Sequence, residues 1–571
     1  MPSARKSLPP VGRRLVRSVA FGAALAAASA LAIGLPAAAS ADTAHRTTLV
    51  GTLLQAYPES KHERAADPAA DQPLSWVETA GGDAVRIATA DVSNVPAGST
   101  VQVTVGGNAT APDPTNTPAG LPPAQQVISS TVVQAPVRSE APARPFTNEV
   151  TIALVAPQGA LPDPRVTPEQ LAATVAGPVS RFWSSQTDGA IRIGVAAEHD
   201  WITTKSGCST PAAMWDEAAR KVDFVPGPGK HLLLYVGSAS GAPADCAYAL
   251  GEVGSGPSAG GRTYVTDTIP SVIAHELGHN FGLGHSSGRQ CDGTVDSGTC
   301  RTVGYRDFYD VMGVSWSQLG SLNVAQAARL HVLPAARETD VSVRDAARTV
   351  TLVPLAALQG IRALRLTDTD GTQYWLEYRA AARQDAWLAT GDNVYGLQAG
   401  VLVHRSGGLP DTSLLLDGTP SKAAGWDADL HDALQVGVPI TVAGGHFTIE
   451  VEALTTAGAV VRVVPAAPAQ AVAPAPAPAP AAPRHLVLPG NGSVQQGTAT
   501  VAAPPVVAPA PAPAAAPLPQ VAAAGRPATP KLQATATTRS SLGLPVPLAG
   551  ALLAAGLLLL AARRLRRAAR Y

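Results

Sequence analysis

The sequence runs to 571 residues, with 42 basic and 42 acidic side chains and only 15% charged residues. That length allows several domains. A neutral balance leaves no basic footprint for nucleic acid, so composition argues against a nucleic-acid partner.

In chain order, the first element is an export signal. Arg5, Lys6, Arg13, Arg14 and Arg17 precede an apolar run over 19–35, and Ala39-Ser40-Ala41 fits the small-residue cleavage pattern. Residues 1–41 therefore read as a signal peptide, with the mature chain starting at Asp42. The pair Arg13-Arg14 hints at twin-arginine export, but such pairs are common, and the general secretory route is the preferred reading. Residues 42–146 form short alternating stretches such as Val101-Gln102-Val103-Thr104-Val105, ending in a Pro/Ala linker. They predict a small β-rich domain.

Residues 147–334 alternate strands with helices and predict a mixed α/β catalytic domain. Val150, Ile152 and Leu154 alternate along a strand at 149–155. Thr167, Pro168 and Gln170 then make a capping box, with proline at the first helical position. Leu171, Val175, Phe182 and Trp183 supply the buried face of that helix. A strongly apolar strand follows at 232–236, then a helix over 270–282 that begins at a proline and ends at a glycine. An edge strand within 247–265 is expected to set subsite preference. Cys208, Cys246, Cys291 and Cys300 are the only cysteines. Export favours disulfides for them, and proximity favours Cys208–Cys246 and Cys291–Cys300 among three pairings.

Residues 335–464 return to strands and read as a β-sandwich-like accessory domain, with Asp370-Gly371 as a hairpin turn. Residues 465–540 are a Pro/Ala-rich stalk that cannot build a core. An uncharged stretch at 541–562 has about the ~20 residues needed to cross a bilayer. Arg563, Arg564, Arg566, Arg567 and Arg570 follow it within the basic tail, 563–571, and orient that tail inward. The expectation is an exported protein held at the cell surface by one C-terminal helix, or shed from it.

The chemistry lies in His275-Glu276-Leu277-Gly278-His279-Asn280-Phe281-Gly282-Leu283-Gly284-His285. On a helix His275 and His279 face the same way and can reach one ion. Gly282 takes positive φ without steric cost and lets the chain turn sharply. That turn brings His285 round as a third nitrogen. Three imidazoles leave a fourth zinc position for water, the mark of a catalytic site. Glu276 points away from the ligand position and is placed to take a proton, as a general base.

This stretch resembles the long zinc motif of the metzincins. Those enzymes carry a Met-turn beneath the metal, and Asp310-Val311-Met312-Gly313 is similar to it, with Met312 as a soft floor. Ser321-Leu322-Asn323 through Leu330 and Leu333-Pro334 resembles the gametolysin-like branch, where a helix after the Met-turn closes the domain. The resemblance implies a zinc-dependent endopeptidase acting on extracellular proteins or peptides, and it implies a propeptide role for 42–146. Two features depart from the family. Val314 stands where some metzincins place a tyrosine, so no tyrosine is assigned to the site. Residues 42–147 hold no cysteine, which removes latency through a cysteine thiolate. The alternative function class is a surface adhesion protein on a metzincin-like scaffold, and the intact Glu276 weighs against it. Ca²⁺ has no support beyond the acidic run at 426–432, which lacks the glycine and spacing of a calcium loop.

Overall fold

The computed structural model describes residues 46–61, 72–114, 117–136, 146–313, 316–357, 359–420 and 429–466. The expected signal peptide, the stalk beyond 466, the membrane span and the basic tail lie outside them. Among the described residues no helix is long and apolar enough to cross a membrane.

The first five strands are β1 (Thr47–Pro58), β2 (Leu74–Thr79), β3 (Ala84–Ile87), β4 (Thr100–Asn108) and β5 (Gln125–Gln134). They pair in the circuit β1-β2-β3-β5-β4-β1 and so close on themselves. Period-two alternation sends Leu53, Val77, Val101, Val103 and Val105 inward to a small core of their own. β1 is long enough to serve three neighbours. Residues 47–52 pair with β4, 51–56 with β2, and 56–58 with the next sheet.

That next sheet holds β6 (Asn148–Pro157), β7 (Ile193–Thr204), β8 (Lys230–Val236), β9 (Ala249–Glu252) and β10 (Gly261–Val265), in the order β9-β10-β8-β6-β7. All neighbours are parallel except β9, which runs antiparallel to β10. Both faces are covered, as parallel strands require. Val150, Ile152, Leu154, Leu233 and Tyr235 face one core. Ala153, Val155, Leu232, Leu234 and Val236 face the other. The first face meets α1 (Pro168–Thr174), α2 (Ser180–Gln186) and α4 (Pro270–Asn280), and the second meets α3 (Pro211–Lys221).

The Thr167 hydroxyl accepts from the Gln170 amide, and the Gln170 side chain accepts from the Thr167 amide. The helix then differs from a single regular one. Val175–Val179 widens to a π turn around Pro178 before α2. Proline has no N–H to give the preceding turn, and the wider turn accommodates it. Leu171, Val175, Phe182 and Trp183 are all buried. Arg262 on β10 ties the first strands to this sheet, pairing with Glu252, with Glu78 of β2 and with Asp216 of α3.

The region after 334 does not stand apart. β11 (His285–Cys291) and β12 (Cys300–Val303) join β13 (Glu338–Ser342), β15 (Ala363–Thr367), β16 (Gln373–Arg379), β17 (Gly400–Ser406) and β18 (Asp411–Leu416) in one seven-stranded sheet, order β12-β11-β18-β17-β16-β15-β13. Strands β14 (Arg348–Leu352), β19 (Ile440–Val442), β20 (Phe447–Thr455) and β21 (Gly458–Pro465) form a second sheet. The two pack through Leu364, Leu366, Leu376 and Val403 against Leu352, Phe447, Ile449 and Val461, a sandwich-like arrangement. The opposite face of the larger sheet gives Leu402 and Leu415 to the core around α4. A last helix, α5 (Val324–Arg329), is capped by Asn323. The described molecule is mixed α/β, rich in strands and poor in helices. Its disulfides are Cys208–Cys246 and Cys291–Cys300.

Candidate metal centre

Helix α4 carries the first two candidate ligands on one face, with Pro270 in its first turn. His275 and His279 lie one turn apart, ring centroids 4.7 Å from each other. The helix ends at Asn280, and Gly282 takes φ 95°, the left-handed conformation the turn needs. His285 then opens β11, its ring centroid 5.2 Å from His279 and 5.6 Å from His275. Its backbone is held by the far region of the chain. The His285 amide donates to the Pro410 carbonyl at 2.9 Å, and the Gly284 amide donates to Thr412 Oγ1 at 2.9 Å.

The ring tautomers follow from what the outer nitrogens face. His275 Nδ1 lies 2.8 Å from the Val311 carbonyl and His279 Nδ1 lies 2.9 Å from the Leu283 carbonyl. A carbonyl only accepts, so each Nδ1 carries the proton and each Nε2 presents a lone pair to the centre. Burial pushes the His279 and His285 imidazoles down, His285 to about 3. Both are therefore neutral, as metal ligation needs.

A fourth donor comes from outside the motif. Glu59, one residue past the end of β1, places Oε1 3.3 Å from Nε2 of His279, 3.3 Å from Nε2 of His285 and 3.5 Å from Nε2 of His275. All four side chains are fully buried. A carboxylate oxygen thus faces two nitrogens that carry lone pairs rather than protons. Acceptor against acceptor, out of water, is unfavourable without a cation between them. His275 Nε2 and Glu59 Oε2 have no hydrogen-bond partner among the described residues. Glu59, His275, His279 and His285 form the group of donors that could hold a metal ion, with ligand atoms within 4.8 Å of one another.

Glu276 lies outside this set of donors, fully buried against β9 and β10. Its Oε2 sits 3.4 Å from Thr263 Oγ1, and a Cβ at position 251 would overlap it, so β9 needs glycine there. Burial, then the charge on Glu59, pushes its carboxyl well above the usual range. Met312 lies beneath α4, fully buried. A Cβ at position 278 would overlap its sulfur, which accounts for glycine in mid-helix. The Met312 amide donates to Asp310 Oδ1 at 2.7 Å, and its carbonyl accepts from the Ser286 amide at 2.9 Å.

Aromatic rings wall the centre. Tyr57 stacks on His279 at 4.6 Å, Tyr305 lies 3.7 Å from His285, and Trp316 lies 5.0 Å from His275. The expected tyrosine position at 314 is empty of tyrosine, but Tyr305 enters as a ring against a ligand. A cavity of about 740 Å³ opens beside Glu59, between Arg165, Tyr248 and Asp267. A second cavity, about 890 Å³, lies elsewhere and touches none of the donors.

Sequence reasoning missed Glu59, the aromatic wall and two further buried histidines. His404 Nε2 pairs with Asp307 Oδ2 at 3.0 Å, and His231 lies between Asn148 and Asn280 at the end of α4. One signal did exist for Glu59. The run Leu53-Leu54-Gln55-Ala56-Tyr57-Pro58 reads as a strand buried on both faces, so an acid directly after it calls for a counter-charge.

No curated protein matches the chain. Residues 235–308, which contain all three histidines and Glu276, match the family model of the Metallo-peptidase family M12B, Reprolysin-like. That match supports a zinc metallopeptidase of the metzincin type over this part of the chain.

Proposed function

We propose that the chain is an exported zinc endopeptidase that cuts extracellular proteins or peptides, held at the cell surface or shed from it. The observation that carries the reading is the convergence of three buried imidazoles beside a carboxylate, Glu276, on the residue after the first ligand. Imidazole and carboxylate donors suit zinc. Zinc, when bound, would polarise the scissile carbonyl and make water acidic enough to react near neutral pH. His275, His279 and His285 would hold it, with Val311 and Leu283 fixing two of the rings.

Glu276 is the proton carrier. It takes the proton of the attacking water and gives it to the leaving amine. Its raised carboxyl reflects the closed arrangement, and charge nearby lowers it again when a cation is present. The rings of Tyr305 and Trp316 exclude solvent from the far side of the ligands. The helix α5 that follows the Met-turn supports placement in the gametolysin-like branch. Two disulfides support an oxidising destination.

The test is paired metal analysis and proteolysis. The wild-type chain should bind one zinc, and after its N-terminal region is removed by limited proteolysis it should cut casein. Glu276→Gln should keep the zinc and lose about 10²- to 10⁴-fold in cleavage rate. A folded wild-type chain without zinc overturns the reading, as does a Glu276→Gln protein that cuts as fast as wild type.

A further inference from the structure

Glu59 has no part in the proposed reaction, yet it is a fully buried carboxylate at the point where the three Nε2 atoms converge. Its backbone is equally committed. The Glu59 amide donates to the Ala249 carbonyl at 2.8 Å, and its carbonyl accepts from the Tyr248 amide at 2.9 Å. These bonds extend the antiparallel pairing of Ala56, Tyr57 and Pro58 with Glu252, Gly251 and Leu250. The Val253 amide donates to the Gln55 carbonyl at 2.8 Å, so residues 55–59 lie along the whole of β9.

Strand β9 lies beneath α4, with β10 on one side, and ends the β6–β10 set, so that its other side would be an edge without residues 56–58. An edge strand has one free row of backbone donors and acceptors, and only one extended segment can use it at a time. In this chain that row is already taken. Beyond Glu59 the segment is still held, because Trp316 Nε1 donates to the Ser60 carbonyl at 3.0 Å. Tyr57 packs on two of the ligands and donates through its hydroxyl to the Pro410 carbonyl at 3.1 Å, the same carbonyl that anchors His285.

We infer that Glu59 is an internal fourth ligand of the metal, and that with the strand before it this residue keeps the full chain latent. The carboxylate holds the place a reacting water needs, and residues 55–59 hold the edge an extended peptide needs. No thiolate is involved, in keeping with the absence of cysteine before Cys208. Opening the site requires that this segment leave β9. The inference rests on the metal-site reading and goes beyond it by assigning the ligand and the latent state.

The experiment uses the full chain loaded with Co²⁺, whose visible spectrum reports the ligand shell, and acetohydroxamate as a probe for an open metal position. In wild type the spectrum should stay constant from about pH 7 to about pH 9, because no ionisable water is bound. In Glu59→Gln and Glu59→Ala a water enters and the spectrum should titrate over that range. Acetohydroxamate should bind either variant about 100-fold more tightly than wild type, since the closed form competes with it. A wild-type spectrum that titrates with pH overturns the inference whether or not the variants fold, and so does equal acetohydroxamate affinity in wild type and Glu59→Gln. A folded wild-type chain that takes up no cobalt overturns the metal-site reading itself, which separates the two failures.

Discussion

Two clusters of buried charge lie on either side of the Met-turn, and they are neutralised in different ways. Above it, Glu59 sits among three histidines, with the buried Glu276 next to the first of them in sequence and no arginine or lysine in the donor group. Below it, Asp307, Asp310, Glu377 and Asp385 surround Arg379 and His404. Arg379 bonds Glu377 at 2.5 Å and Asp385 at 3.2 Å, and His404 pairs with Asp307. Backbone amides complete the lower set, since Val324 donates to Glu377 and Asn323 to Asp310. The lower cluster carries its own cations and serves as a fixed floor. The upper one has no arginine or lysine to offset its carboxylates, and its donors could hold an ion from solution. A buried charge that the chain can satisfy itself holds structure, whereas one that it cannot satisfy makes a binding site.

The comparison breaks most easily at Arg379. Arg379→Met should cost about 3–5 kcal/mol in urea unfolding, because Glu377 and Asp385 are left buried and unpaired. A loss below about 1 kcal/mol would show that the lower cluster does not depend on its own cation. Replacing Arg379, Glu377 and Asp385 together by apolar residues should recover most of that loss.

Metal removal probes the upper cluster alone. Chelation should lower the thermal midpoint of wild type by the stabilisation a tight ion gives, about 4 kcal/mol at a thousandfold excess over Kd. It should do so equally in Arg379→Met, since the two clusters share no ion. Unequal effects would mean the floor and the centre act as one unit.

The smallest expected effect is on pH. Burial, then the charge on Asp307, pushes the Asp310 carboxyl up to about 7. The folded chain keeps a proton that the unfolded chain has lost, so this contribution is full below the unfolded value and fades as pH rises towards about 7. Burial opposes charge on His404, but Glu377 and Asp307 outweigh it and raise its value, so its contribution is also lost on the alkaline side. Stability in chelator should therefore decline as pH rises through neutral, by up to about 1.4 kcal/mol per pH unit for each proton released. Asp310→Asn should flatten the decline, and an unchanged slope would remove Asp310 from the account.

What the sequence disclosed was what short-range geometry encodes. The spacing of His275 and His279, the glycine turn before His285, the capping box at Thr167 and the alternation along 149–155 all depend on neighbours within one or two turns. Two of the most consequential features depend instead on strand pairing across long separations. β1 ends at the candidate metal centre because residues 56–58 pair with 250–252, and nothing within 42–146 specifies that partner. His285 reads as the end of a zinc motif but is also the first residue of β11, parallel to β18. The boundary expected at 334 marks a change of pattern, yet the seven-stranded sheet runs through it. Composition separates segments and cannot say which segments share a sheet.

The anchoring of His285 at Pro410 also sets an order of events during synthesis. A chain made from its N-terminus delivers Glu59 first, then the three histidines, and only afterwards the strand that fixes the third of them. The blocking carboxylate is thus waiting before there is anything to block. On the proposed reading, the residue that closes the centre is made before the centre it closes is complete.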